Sequence, residues 1–396
     1  MEDESATPEN FEKKKILLGK DLDEYIAFIK KEDDEDIDVE TFTNSFNNFL
    51  MNEEPDVLVI SDTHVGAIGS HASLLDRTLN SIDRYLENGN KLQALLILGD
   101  YYDNICQDAS GVKTVPEIIN IFNKLDKLCN RTKVKITLGN HEIPIKYGLG
   151  LFYNFGKTRD AFVKMLSKHA NGQFSTFLNP GNFCQYISMA TDGSGNVTIS
   201  TYDDLGGLKA TTNGKILMTH GYQFFPKEND VCGIIWKELM RGSKEAKEMI
   251  DILYNANVKD HSDETVQGIH DAIGKPGKYE KLKLEDIKQA RKQQELWYKK
   301  REEDNRDVDF RKREIETFLK KNKLTSFPKV IYGHTHKAVS FTIPVPGNSN
   351  VDVYNTGTWQ HVAPTVIGIK VKDGQFAISA KTWDKTENAF KETPTS

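Results

Sequence analysis

Short, predominantly apolar runs recur along the middle and the end of the chain, at residues 57–60, 95–98, 134–138, 216–218 and 330–332. Stretches of amphipathic sequence separate them. Between the first two runs, Leu74, Leu75, Leu79, Ile82 and Leu86 repeat at helical spacing. After the second, Thr114 and Glu117 form a capping-box pattern ahead of a helix carrying Ile118, Ile121, Phe122, Leu125 and Leu128. Segments 183–191 and 197–202 flank the turn residues 192–196 and predict a hairpin, and 351–354 and 365–371 read as further strands. Strands alternating with helices predict an α/β domain.

Two regions depart from this pattern. Residues 1–54 are dominated by acid, with Leu22, Tyr25, Ile26 and Ile29, then Phe42, Phe46, Phe49 and Leu50, at helical spacing; they predict an acidic helical arm or appendage. Residues 226–325 predict long charged helices inserted into the α/β domain, which then comprises 55–225 and 326–385. Residues 386–396 read as a flexible tail.

Composition narrows the class. With 396 residues, 38% hydrophobic and 28% charged, the chain suits one large domain plus polar additions. A formal net charge of -6 gives no global sign of nucleic-acid binding. Four scattered cysteines without a Cys-x-x-Cys pair suggest free thiols in a reducing compartment. The acidic N-terminus does not have the form of a signal peptide, and no apolar run reaches the length of a membrane span. A cytoplasmic location and no membrane partner are the expectations.

The chemistry lies where the apolar runs end. They lead into Ser61-Asp62-Thr63-His64, Gly99-Asp100-Tyr101-Tyr102-Asp103, Gly139-Asn140-His141-Glu142, Thr219-His220-Gly221 and Gly333-His334-Thr335-His336. In open α/β sheets, functional side chains collect at the carboxyl ends of strands, so these five ends are placed to converge. If the extended conformation persists past the strand, the two-residue spacing aims Asp62 with His64, and His334 with His336, the same way.

As an ordered set, these motifs resemble the calcineurin-like metallophosphoesterases over roughly residues 56–225 and 326–384. The resemblance implies a four-layer αββα sandwich and a dinuclear centre. Asp62, His64, Asp100 and His336 would hold one metal, and Asp100, Asn140, His220 and His334 the other, with Asp100 shared. Mixed imidazole and oxygen donors suit manganese, iron or zinc. The implied reaction is hydrolysis of a phosphate mono- or diester, on a nucleotide-like substrate, by a hydroxide bridging two divalent ions. His141 would act on the transition state or the leaving oxygen, with Asp103 orienting its ring.

Departures within the superfamily narrow the branch. Asn104 and Leu138 stand where protein serine/threonine phosphatases carry arginines, and His141 stands where lipid A pathway pyrophosphohydrolases have arginine. The same metal set resembles that of repair nucleases, which makes nucleic-acid cleavage the alternative. In the insertion, Lys288, Arg291, Lys292, Lys299, Lys300 and Arg301 with Trp297 and Tyr298 suit a nucleic-acid track. Interspersed acids such as Glu295, Glu302 and Glu303 favour a solvated helical face instead. A non-catalytic scaffold of the same fold is the reading from another class; it requires missing ligands, and the motifs lack none.

Overall fold

The structure is a computed structural model and describes residues 37–65, 70–102, 114–139, 142, 155–169, 172–192, 194–210, 214–224, 308–344, 350–359 and 363–395. Its elements, in chain order, are α1 (Val39–Glu53), β1 (Val57–Ile60), α2 (Ala72–Glu87), β2 (Ala94–Leu98), α3 (Thr114–Cys129), β3 (Lys133–Thr137) and α4 (Phe155–His169). There follow β4 (Phe183–Cys184), β5 (Tyr186–Thr191), β6 (Val197–Tyr202), α5 (Leu205–Lys209), β7 (Ile216–Thr219) and α6 (Val308–Lys321). The last six strands are β8 (Lys329–Tyr332), β9 (Val339–Ile343), β10 (Val351–Asn355), β11 (Thr365–Lys372), β12 (Gln375–Asp384) and β13 (Ala389–Glu392).

These strands form two sheets. The first has the order β13-β12-β11-β1-β2-β3-β4, and the second β6-β5-β7-β8-β10-β9. Strands β1 to β4 run parallel, as do β7, β8 and β10. The predicted hairpin is β5–β6, with the Asp192 carboxylate accepting from the Ser194 and Asn196 amides in its turn.

The near-continuous apolar runs follow from burial on both faces of each sheet. Successive side chains of a strand point to opposite faces. Val57 and Val59 of β1, with Leu96 and Leu98 of β2, meet Ile187, Met189, Ile216, Met218 and Ile331 of the second sheet. Leu58 and Ile60, with Leu95 and Ile97, turn outward onto α1, α2, α3 and α4. On the far side, Leu217, Val330, Tyr332 and Val353 pack against Ile315 and Leu319 of α6. The layers are therefore helix, sheet, sheet, helix, as the resemblance implies. Burying one such aliphatic side chain is worth about 1.5–3 kcal/mol, which locks the inward and outward sets against a one-residue slip.

The described parts of the two terminal regions are more firmly built in than the sequence suggests. Residues 22–29 of the expected arm lie outside the described residues. Helix α1, by contrast, is part of the core: Phe42, Phe46, Phe49 and Leu50 are buried. The Phe42 ring meets Trp383 at 5.1 Å and Trp359 at 6.0 Å. The expected flexible tail, 386–396, does not hold for its described part. Strand β13 pairs with β12, Thr393 is buried, and Ser340 of β9 donates to Pro394. The aromatic contacts between Phe390 and Phe42, Phe46 and Trp383 hold this strand in place. Of the expected insertion, 226–307 lies outside the described residues, while α6 at its end packs on the second sheet. Among the described residues, no helix is long and apolar enough to cross a membrane.

Candidate metal centre

The parallel registers bring the strand ends together. Ile60 lies beside Ile97, Leu98 beside Thr137, Thr219 beside Tyr332, and Tyr332 beside Asn355. The loops that follow stay bonded to one another, with Asp62 N–H donating to the Gly99 carbonyl at 3.0 Å, His64 N–H to Asp100 at 2.8 Å and Gly333 N–H to His220 at 2.7 Å.

Two clusters result. Asp62, His64, Asp100 and His336 each offer a ligand atom, all within 4.8 Å of one another, and Asp100, His220 and His334 do the same. Asp100 belongs to both. His64 Nε2 faces His336 Nε2 at 3.1 Å, and His336 Nε2 lies 3.3 Å from Asp62 Oδ1. Asp100 Oδ2 is 3.2 Å from His220 Nε2 and 3.9 Å from His64 Nε2. Two donors each about 2.1 Å from one ion must be separated by about 3–4 Å, so these distances and donor types fit a transition metal in each cluster. The remaining predicted site residues, Asp103, Asn140 and His141, lie outside the described residues.

The backbone at the centre is not extended. Asp62, His64, Asp100, His334 and His336 all have left-handed φ values, of 49°, 44°, 44°, 70° and 57°. This corrects the expected aiming of the paired residues. Asp62 and His64 do enter one cluster, but His334 and His336 go to different ones, because left-handed turns replace the strand's two-residue alternation. Left-handed conformations cost on the order of 1–2 kcal/mol per residue outside glycine. The surrounding hydrogen bonds hold them. The Asp62 carbonyl accepts from Trp359 N–H and from the Thr358 hydroxyl, both at 2.9 Å, and the Asp62 carboxylate accepts from His334 N–H at 3.0 Å. The Ser61 hydroxyl donates to Asp62 and lies against that of Thr356. Asn355 donates to the Gly333 carbonyl at 2.9 Å, so the turn at 355–358 touches both halves of the centre.

Two motif glycines have a steric reason to be there. A Cβ at Gly139 would lie 2.2 Å from Asp100 Oδ1, and one at Gly333 would lie 2.2 Å from Asp62 Oδ2. Any side chain there would push a carboxylate out of its cluster.

Two groups carry shifted ionisations. Burial alone would push His220 down, but the Asp100 and Asp62 charges and a hydrogen bond with Asp100 outweigh it and hold the ring up at about 9. Its Nδ1 lies 2.8 Å from the Leu98 carbonyl, which directs Nε2 toward Asp100. Glu142, which closes the Gly139-Asn140-His141-Glu142 segment and has no place in the ligand set that the resemblance implies, is fully buried. Burial and then the Asp100 charge raise it to about 7, against the opposing pull of the Tyr102 and Gly139 amides and of His220.

Both groups thus keep protons in the folded, metal-free chain where the unfolded chain has lost them. For His220 the stability gained is complete below about 6.5 and fades as the pH rises through about 9. For Glu142 it is complete below about 4.5 and fades through about 7. Chelator-treated protein should therefore show a Tm that falls between roughly pH 6.5 and 9. A flat or rising Tm in thermal melts over that window would contradict these ionisations.

Residues 55–338 match the family model described as calcineurin-like phosphoesterase. No curated protein sequence matches the chain significantly. Among solved structures, a dimetal phosphatase from Danio rerio is similar at 11% identity, covering 83% of this chain and 96% of that one, with a TM-score of 0.33.

Proposed function

We propose that this chain, which belongs to the calcineurin-like phosphoesterase family and is thus a hydrolase of phosphoester bonds, works with two divalent transition-metal ions on a nucleotide-like phosphate mono- or diester. The observation that carries the reading is the pair of donor clusters sharing Asp100. Asp62, His64, Asp100 and His336 would hold one ion, and Asp100, His220, His334 and Asn140 the other. Bound there, the ions would polarise the phosphoryl oxygens and acidify a water toward neutral pH.

The chain's own residues supply the rest. Asp62 and Asp100 are buried, with the His64, His220 and His336 imidazoles beside their carboxylates. Two divalent ions against two carboxylates leave such a centre cationic in an acidic protein, which suits a phosphate. Neutral His64, His220, His334 and His336 are needed as donors, so loading displaces any proton held by His220. His141, next to Asn140 in sequence, is the candidate for placing or moving a proton at the leaving oxygen, with Asp103 holding its ring.

Hydrolysis of p-nitrophenyl phosphate and of bis-p-nitrophenyl phosphate, with manganese added to chelated protein, tests the reading. Turnover of one or both that returns with the metal is expected. Silence on both, with two ions bound per chain, would point to the non-catalytic scaffold and end the enzymatic reading.

A further inference from the structure

Glu142 is a fully buried carboxylate placed among the loops that end β2 and β3. Its Oε2 accepts the Asp100 amide at 2.9 Å and the Gly139 amide at 2.7 Å, and its Oε1 accepts the Tyr102 amide at 2.8 Å. The two carboxylate oxygens have acceptor sites for all three. The amides belong to the shared residue Asp100, to the residue before Asp103 and to the residue before Asn140.

The bond to Asp100 lies at a special place. Gly99 and Asp100 are consecutive left-handed residues, with φ of 73° and 44°. No repetitive structure pairs the Asp100 amide there, and a buried amide without an acceptor costs about 1–3 kcal/mol. Rotation of the peptide joining Gly99 to Asp100 would swing Asp100 Oδ2 away from His220 Nε2, now at 3.2 Å, and from His64 Nε2.

We propose that Glu142 is a positioning residue of the centre: by clamping three backbone amides it fixes the turn at Asp100, and so aims the one carboxylate that both clusters share. The proposal rests on the two-metal reading above. It differs from a general packing role in a specific way: loss of Glu142 weakens both ion sites together, because their common ligand moves.

The test compares Glu142→Gln with Glu142→Asp in the full-length protein. Glutamine puts an NH2 donor against an amide donor and breaks at least one of the three bonds; aspartate keeps the charge but is one methylene shorter. Titration of chelated protein with Mn2+ should show Glu142→Gln, folded by near-UV circular dichroism, binding both equivalents about 10–100-fold more weakly than wild type. The electron paramagnetic resonance signal of a coupled manganese pair should fade with it, and Glu142→Asp should recover part of the affinity. Two equivalents bound by Glu142→Gln at wild-type affinity, with the wild-type coupled signal, would overturn the assignment. Should Glu142→Gln fail to fold, Glu142→Asp decides: joint weakening of both sites supports the role, and wild-type affinity at both rejects it. Wild-type protein that takes up no Mn2+ would instead sink the two-metal reading.

Discussion

Asp100→Asn is expected to fold, to lose both ions and to hydrolyse phosphoesters at least about a thousandfold more slowly. The backbone gives no reason for unfolding, since asparagine adopts the left-handed φ of 44° seen at Asp100 as readily as aspartate. The Asp100 amide, which bonds to Glu142, is also unchanged. The side chain differs in the respect that matters. It loses its charge, and one of its two oxygens becomes an amide nitrogen that does not bind metal. Because Asp100 is common to the two clusters, the loss strikes both. Metal content per chain by mass spectrometry, alongside kcat/KM on an aryl phosphate, reads the two effects together. A variant that keeps two ions and full activity would remove Asp100 from the shared position.

His141→Ala is expected to behave in the opposite sense, keeping both ions while kcat falls by about 10²–10⁴, the range for loss of a general acid or base. His141 follows directly on Asn140 in the Gly-Asn-His motif, and the resemblance gives it no place among the metal ligands. A proton-transfer group acts only as the transition state forms, so KM should change little while kcat and kcat/KM fall together. A flattened alkaline or acidic limb of the pH–rate profile should accompany the loss. A wild-type kcat with normal metal content would exclude His141 from the reaction.

What the sequence disclosed about this centre, and what it hid, divides along physical lines. Asp62, His64, Asp100, His220, His334 and His336 were legible because each follows a strand buried on both faces, and such strands write themselves as apolar runs with abrupt ends. The left-handed turns at Asp62, His64, His334 and His336 were not legible, since positive φ at non-glycine residues is imposed by tertiary hydrogen bonds rather than by local preference. The contacts of Glu142 were hidden for a related reason. Two of its three partners, Asp100 and Tyr102, are about forty residues away, and no spacing rule connects them. Helix α1 shows a third case. Phe42, Phe46 and Phe49 gave away a helix, but their partners Trp359, Trp383 and Phe390 lie more than three hundred residues downstream. An acidic stretch read alone therefore resembled an appendage.

The division of the donors between the sheets has a mechanical side. Asp62, His64 and Asp100 leave the first sheet, whereas His220, His334 and His336 leave the second, and each cluster draws from both. An ion in either cluster would act as a rivet through the two halves of the sandwich, adding about 2.7 kcal/mol of cohesion at a free concentration one hundred times its Kd. Catalytic competence and resistance to proteolysis would then be gained and lost in the same event, so that molecules starved of metal are the ones offered to degradation.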